Sequence, residues 1–416
     1  MLIAHVQGHE GERRLQRLDA EMGAERPALP IGIRNQVLFI LVAIGALAVA
    51  LSGFVGYAPN RLVSGNPIPL WKAAGAVPTG IIALLGAVLL AASVVKPSKP
   101  VLTGAAVSAA LLLLVVLAAA GRAASILSLS ATPASRISLA PAFWILVACA
   151  ALAVGDAMQR LEAGIAARVV AVIAIVSAAV LLAAIGTFDA LSIAREYESR
   201  HQVFADAVAR HMTLVGASVA GAVAIGFPLG VATAKRPRLE GPVFATLNIL
   251  QTIPSIALFG LLIVPLSALV AAVPQLAQYG IGGIGVTPAI IALVLYALLP
   301  VVRNTVTGLT SVDSAATEAG RGMGMSSRQI FWQVELPLSV PILIAGLRIV
   351  TVQAIGLAVV AALIGAGGLG TFVFEGLGQY AVDLVLLGAL PAIFLALAAD
   401  FVLQIVIAVL RQRVAP

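Results

Sequence analysis

The residues of this chain that could do chemistry are few, and most of them fall in one stretch. Val312–Pro337 reads V-D-S-A-A-T-E-A-G-R-G-M-G-M-S-S-R-Q-I-F-W-Q-V-E-L-P and lies between two long apolar runs. Asp313 or Ser314 can cap a first short helix running through Glu318, and Gly320, Gly322 and Gly324 are expected to break it. Ser326, with Gln329 three residues on, forms a capping box for a second helix whose apolar face is Ile330, Phe331 and Val334. Leu336-Pro337 is expected to end that helix, because proline disfavours helix in the residue before it. The chemistry of such an element is mechanical. Two short helices around a glycine turn make a rigid knob that can be gripped in a partner's groove. The alternative is a passive loop cap, although structureless loops of this length are uncommon.

The other candidates lie within apolar runs. Gln251-Thr252-Ile253-Pro254-Ser255 puts polar side chains where they either face a solute pathway or hydrogen-bond neighbouring helices around a proline kink. Arg303 and Asn304, at the end of the next run, either anchor that helix or touch a solute. Arg348 and Asp400 are ionisable at membrane depth, where each needs a partner; mutual pairing and snorkelling to a helix end both remain open. Gly365-x-Gly367-Gly368-x-Gly370 spells the dinucleotide fingerprint, but that motif requires a strand before it and a helix after it. Here it follows an apolar helical run and reads as a hinge or a close approach between helices. His5, His9, His201 and His211 are expected in or beside loops, which argues against a proton relay. With one buried-type cysteine (Cys149), no H-E-x-x-H and no serine nucleophile elbow around Gly216-Ala217-Ser218, the chain reads as no enzyme, with no metal or cofactor of its own.

The elements that must position these residues follow from composition. Of 416 residues 61% are hydrophobic and 10% charged, too little charge to clothe a water-exposed surface. Ten apolar runs of spanning length fall near 36–57, 77–95, 101–120, 141–158, 169–187, 212–234, 243–264, 287–302, 341–364 and 384–410, so the expected fold is all-α and polytopic. The net charge of +7 forms no basic stripe and calls for no nucleic acid. Placing both termini in the cytoplasm puts 17 of the 25 basic residues on the inner side and 7 outside. The expected organisation is a cytoplasmic segment (1–34), five N-terminal helices (35–190) and an extracytoplasmic polar linker with an amphipathic stretch around Phe204 and Val208 (191–210). A C-terminal core (211–410) and a cytoplasmic tail (411–416) follow.

The 312–337 stretch resembles the EAA loop of ATP-binding-cassette importer permeases, carried by Glu318-Ala319-Gly320, Gly324 and Val334-Glu335-Leu336-Pro337 at the family's spacing. Gly320 and Val334 depart conservatively from it. The flanks resemble glycine betaine/choline/proline osmoprotectant permeases through Gln251–Ser255, Tyr296–Pro300 with Arg303-Asn304-Thr305, and Ala319–Met325. Ile364–Gly370 matches these and also methionine-type permeases, while longer permeases of the Yeh type carry extra N-terminal spans. The resemblance covers about 205–410. It implies a bacterial inner-membrane permease that works with a cytoplasmic ATPase dimer, an extracytoplasmic binding protein and a second permease, identical or paralogous. ATP and Mg would be held by the ATPase. Asp313, Glu318, Ala319, Gly320, Gly324, Met325, Leu336 and Pro337 would couple to that ATPase, and Gln251, Thr252, Pro254, Asn304, Arg348, Gly367, Gly368 and Asp400 are pathway candidates. The implied cargo is a betaine-like osmoprotectant; the alternatives are another zwitterion such as methionine, or a secondary transporter or scaffold that uses no ATPase.

Overall fold

The computed structural model describes residues 32–414 apart from 61, 62, 64, 131 and 133; most of the segment 1–34 and the last two residues of the tail lie outside the described residues. Helices dominate, because a helix satisfies its own backbone polar groups where lipid offers no partner. Among the described residues nine helices have the length and apolarity to cross a membrane, and Gln36–Leu51 is a shorter apolar one. The contacts divide the chain into two units.

The first unit runs to Val55 and then takes Pro67–Ala123 and Leu139–Leu182. It is built from α1 (Gln36–Leu51), α2 (Leu70–Ala73), α3 (Ala76–Val94), most of α4 (Lys99–Ser128), α5 (Pro141–Arg160) and most of α6 (Ile165–Ala184). The first apolar run, expected as a span over 36–57, stops being helical at Leu51. Ser52 at its end is extended, with φ −131° and ψ 163°, and at Gly53 an added Cβ would lie 2.6 Å from the Pro67 Cβ, so that close approach requires glycine. Asn35 caps α1 by accepting from the Leu38 N–H at 3.1 Å, and its Nδ2 donates to Asp156 on α5 at 2.7 Å. Arg160 also bonds Asp156 at 3.0 Å, which keeps this charge satisfied near a helix end.

The second unit takes Gly56–Asn66, Ala124–Ser138 and the residues from Ala183 onward. The apolar pattern did not announce three short strands, β1 (Val55–Ala58), β2 (Asn66–Ile68) and β3 (Arg136–Leu139), paired in the order β2-β1-β3; Gly56–Ala58, Asn66 and Arg136–Ser138 of them belong to this unit. Its helices are α7 (Ser192–Ser199), α8 (His201–Lys235), α9 (Glu240–Thr252), α10 (Ser255–Ala272), α11 (Val286–Thr310), α12 (Ser314–Gly322) and α13 (Ser327–Ile330). After these come α14 (Leu336–Val360), α15 (Gly370–Gly378) and α16 (Val382–Val414).

Three expectations change here. The polar stretch 191–210 is helical nearly throughout, and its second half is the start of α8, a single helix of 35 residues, since no glycine or proline interrupts 201–215. His211 is therefore inside a helix and fully buried, not beside a loop. The run 243–264 is two helices, α9 and α10, because Ile253 before Pro254 sits at φ −70°, ψ 124°, the extended region a following proline imposes.

The core of this unit joins Leu214 and Val215 of α8, Leu258 and Phe259 of α10, Leu293 and Tyr296 of α11, and Ile355 of α14 with intervening alanines. Small residues set the helix spacing. A Cβ on Gly226 would lie 2.8 Å from Val301 Cγ1, and one on Gly221 would lie 2.9 Å from Val294 Cγ2, so α8 approaches α11 only because these positions lack side chains.

Candidate functional site

The hairpin between α11 and α14 is closed by local chemistry at every turn. Asp313 caps α12 by accepting from the Ala315 N–H at 2.9 Å. Contrary to the expected break, Gly320 and Gly322 stay helical, and only Gly324 adopts a left-handed conformation, with φ +78°. There the Gly324 N–H donates to Arg321 O at 2.9 Å and the Met325 N–H to Gly320 O at 3.1 Å, the two bonds of a Schellman closure. Gly320 is buried because the Met325 side chain and Ile330 fold over it; a Cβ there would meet Met325 Sδ at 3.3 Å and Ile330 Cγ1 at 3.4 Å. The closure lets two helical glycines stand despite costing about 1 kcal/mol each relative to alanine.

Ser326 and Gln329 form the capping box that opens α13: the Gln329 Oε1 accepts from the Ser326 N–H at 2.8 Å, and the Ser326 Oγ accepts from the Gln329 N–H at 3.4 Å. The second helix does not end at Leu336-Pro337. Phe331–Glu335 forms a π turn, with the Leu336 N–H bonded to Phe331 O, and the helix continues as α14. Pro337 stands in the first turn of α14, where a proline's missing N–H and fixed φ are tolerated. The hairpin's second arm is thus rigidly continuous with a spanning helix. Lys235 at the end of α8 braces it, bonding Glu335 at 3.2 Å and standing 4.6 Å from the Phe331 ring centroid. Glu318 and Ala319 are exposed, as are the large side chains of Met323 and Trp332.

The pathway candidates fall into four separate contact sets. At the α9–α10 break, Gln251 Nε2 donates to Tyr296 O at 2.8 Å, while the Tyr296 hydroxyl donates back to Ile253 O, so α11 holds the break from both sides. Thr252 spends its hydroxyl on Ile249 O, and Pro254 supplies the break itself. Asn304 donates to Pro300 O at 2.8 Å, packs on Gly346 of α14, and lines a cavity of about 290 Å³ with Val223, Phe227 and Leu343. Arg348 and Asp400 pair with each other through two bonds, the second at 3.1 Å, and Gln404 adds a third to Asp400 at 2.7 Å. Gly367 and Gly368, at φ +79° and +83°, lie against Arg210 Cγ and the His211 ring. The residues directly before them are the helix α14 and a helical turn over Ala361–Ile364, not a strand, which removes the dinucleotide reading.

Residues 226–416 match the family model described as binding-protein-dependent transport system inner membrane component, and residues 33–194 match the N-terminal domain of ABC transporter permease YehY. The carnitine transport permease protein OpuCB of Listeria monocytogenes is 40% identical over 194 residues, 47% of this chain and 82% of the relative. The chain belongs to the ABC importer permeases. The permease is also 42% identical over 199 residues to the osmoprotectant import permease protein OsmW of Salmonella typhimurium, covering 47% of this chain and 86% of that one. It is 37% identical over 206 residues to the glycine betaine/carnitine/choline transport system permease protein OpuCB of Bacillus subtilis, covering 50% and 86%. A chain of the inward-facing MetNI methionine ABC transporter aligns at a TM-score of 0.45 and 23% identity over 51% of this permease and 98% of that chain.

The permease is therefore a multi-pass transport subunit and not an enzyme, and the ATP chemistry of its family belongs to a partner ATPase. His211 and Lys235 had no motif to mark them; a basic residue at a span end was the sole available signal for Lys235. Tyr296 and Glu335 stand in matched runs, but nothing in those runs gives Ile253 or Lys235 as their partners.

Proposed function

We propose that this permease imports glycine betaine or related quaternary-ammonium osmoprotectants across a bacterial inner membrane. It would work with a dimer of cytoplasmic ATPases, an extracytoplasmic binding protein and a second permease copy or paralogue. The observation carrying the cargo is that relatives named for carnitine, choline and glycine betaine are 37–40% identical over 82–86% of their own length. Both termini lie in the cytoplasm on this reading, as the distribution of basic residues favours.

The hairpin is the ATPase-coupling element. Asp313, Gly320, Gly324 and Met325 fix its shape, Glu318 and Ala319 offer the exposed face with Met323 and Trp332, and Leu336-Pro337 carry its displacement into α14. When the ATPases close, a rigid hairpin continuous with α14 tilts that helix rather than flexing beside it. The pathway candidates Gln251, Thr252, Pro254, Asn304, Arg348, Asp400, Gly367 and Gly368 lie on or beside the helices that such a tilt would move. Aromatic residues make up only 5% of the chain, too few for an evident ammonium cage, so tight recognition is left to the binding protein and the pathway holds the cargo weakly.

The test is uptake by proteoliposomes holding the permease, its ATPase and its binding protein, with labelled glycine betaine, carnitine, choline and methionine offered in turn. ATP-dependent accumulation of a quaternary ammonium compound is expected. Accumulation of methionine alone would overturn the cargo, and accumulation without the ATPase would overturn the mechanism.

A further inference from the structure

The unit that contains the permease core also contains Gly56–Asn66 and Ala124–Ser138, which lie within the residues matched by the N-terminal family model. What ties the second of these segments in is polar. The Ile137 N–H on β3 donates to Ser192 Oγ on α7 at 2.7 Å. Next to it, Arg136 Nη1 meets Glu196 Oε1 at 3.1 Å, and the Glu196 side chain is only 3% exposed. On its other side Arg200, at the entry to α8, brings Nε to 3.9 Å from Glu196 Oε2. The Arg200 Nη1 in turn donates to Glu375 Oε1 on α15 at 2.8 Å. Cation and carboxylate alternate along the series Arg136, Glu196, Arg200, Glu375, which joins β3, α7, α8 and α15.

The place of this series in the fold gives it meaning. α15 follows the glycine turn at the end of α14 remote from the coupling hairpin, and the 25 residues of α14 separate the two by about 37 Å. The links differ in character. The Glu196 carboxylate is buried against Arg136, and parting a buried pair leaves an uncompensated charge, so this link is the more durable of the two. Arg200 and Glu375 are 29% and 35% exposed; a pair so open to solvent is weak and can part and re-form.

We propose that Glu196 is a positioning residue of the transport cycle. Through Arg200 it holds α15 at the end of the core opposite the hairpin, and through Arg136 it makes that hold depend on a strand supplied by the N-terminal stretch. The Arg200–Glu375 link opens and closes in each cycle while the Arg136–Glu196 link persists. This rests on the permease reading above and is independent of the cargo.

The experiment uses the complete transporter in proteoliposomes and reads solute moved per ATP hydrolysed, together with ATPase activity without binding protein. Glu196→Gln is expected to raise the unstimulated ATPase several-fold and to lower solute per ATP at least tenfold, with Glu196→Asp restoring most of it. In a second variant, Arg200→Cys with Glu375→Cys and Cys149→Ala, the ionic link is gone, so solute per ATP should fall as in Glu196→Gln; a short bis-thiosulfonate linker should stop the remaining transport, and reduction should return it to that lowered level. Wild-type coupling in Glu196→Gln, or full transport by the linked pair, would overturn the proposal. If the unaltered transporter shows no ATP-dependent uptake at all, the permease reading fails and this one with it, an outcome distinct from normal wild-type transport with indifferent variants.

Discussion

The sharpest consequence of the hairpin geometry concerns Gly324. Its φ of +78° lies in the left-handed region, yet a Cβ added there would meet nothing within 4 Å. Substitution is thus penalised by backbone conformation alone, with no steric term inside the protein. An L residue in this region costs about 1–2 kcal/mol, less for asparagine, whose side chain bonds locally, and most for a β-branched residue. At about 1.4 kcal/mol per decade, alanine should lower the closed turn relative to opened forms about fivefold and valine about 30-fold, with asparagine nearest to glycine. If only the closed hairpin transmits the ATPase stroke, solute moved per ATP in proteoliposomes should fall in the order Gly, Asn, Ala, Val, at unchanged membrane insertion. Normal coupling in Gly324→Val would refute the requirement for the turn. Equal loss in all three variants would refute the conformational argument and mean that the partner ATPase occupies the space beside Gly324.

Two further outcomes follow from the helix contacts. Tyr296→Phe removes the hydroxyl bonded to Ile253 O and leaves the α9–α10 break held by Gln251 alone, so thermal unfolding in detergent should show a loss of about 1–3 kcal/mol; an unchanged melting temperature would mean the bond contributes nothing. Arg348→Gln strands Asp400 with Gln404 as its remaining side-chain partner, and the loss should be about 2 kcal/mol, below the usual cost of breaking a buried pair because the side chains are 36% and 29% exposed. Adding Asp400→Asn should recover part of it, and strictly additive losses in that cycle would show that the two charges do not interact.

The hairpin was legible in sequence because its determinants are local. A cap such as Asp313, a box such as Ser326 with Gln329, and a left-handed glycine act within four residues. Two features of the hairpin lay outside what caps and turn residues announce. Gly320 was expected to break α12 but is sheltered by Met325 and Ile330, and Pro337 was expected to stop a helix that a π turn carries past it. The break at Ile253-Pro254 is a local proline effect and was present as a kink signal, whereas the contacts that hold it, Gln251 on Tyr296 O across 45 residues and the Tyr296 hydroxyl on Ile253 O, were not.

By itself the sequence determined that lipid is this protein's solvent, that its helices satisfy their own backbones, and that one polar hairpin interrupts them, since all of these follow from composition and short-range periodicity. Only the tertiary structure decided which scarce charges are paired. Arg348 finds Asp400 from 52 residues away and Arg200 finds Glu375 from 175, distances over which an apolar pattern carries no information. The physical reason is that a charge in an apolar chain must have a partner, but nothing in its own neighbourhood says which one.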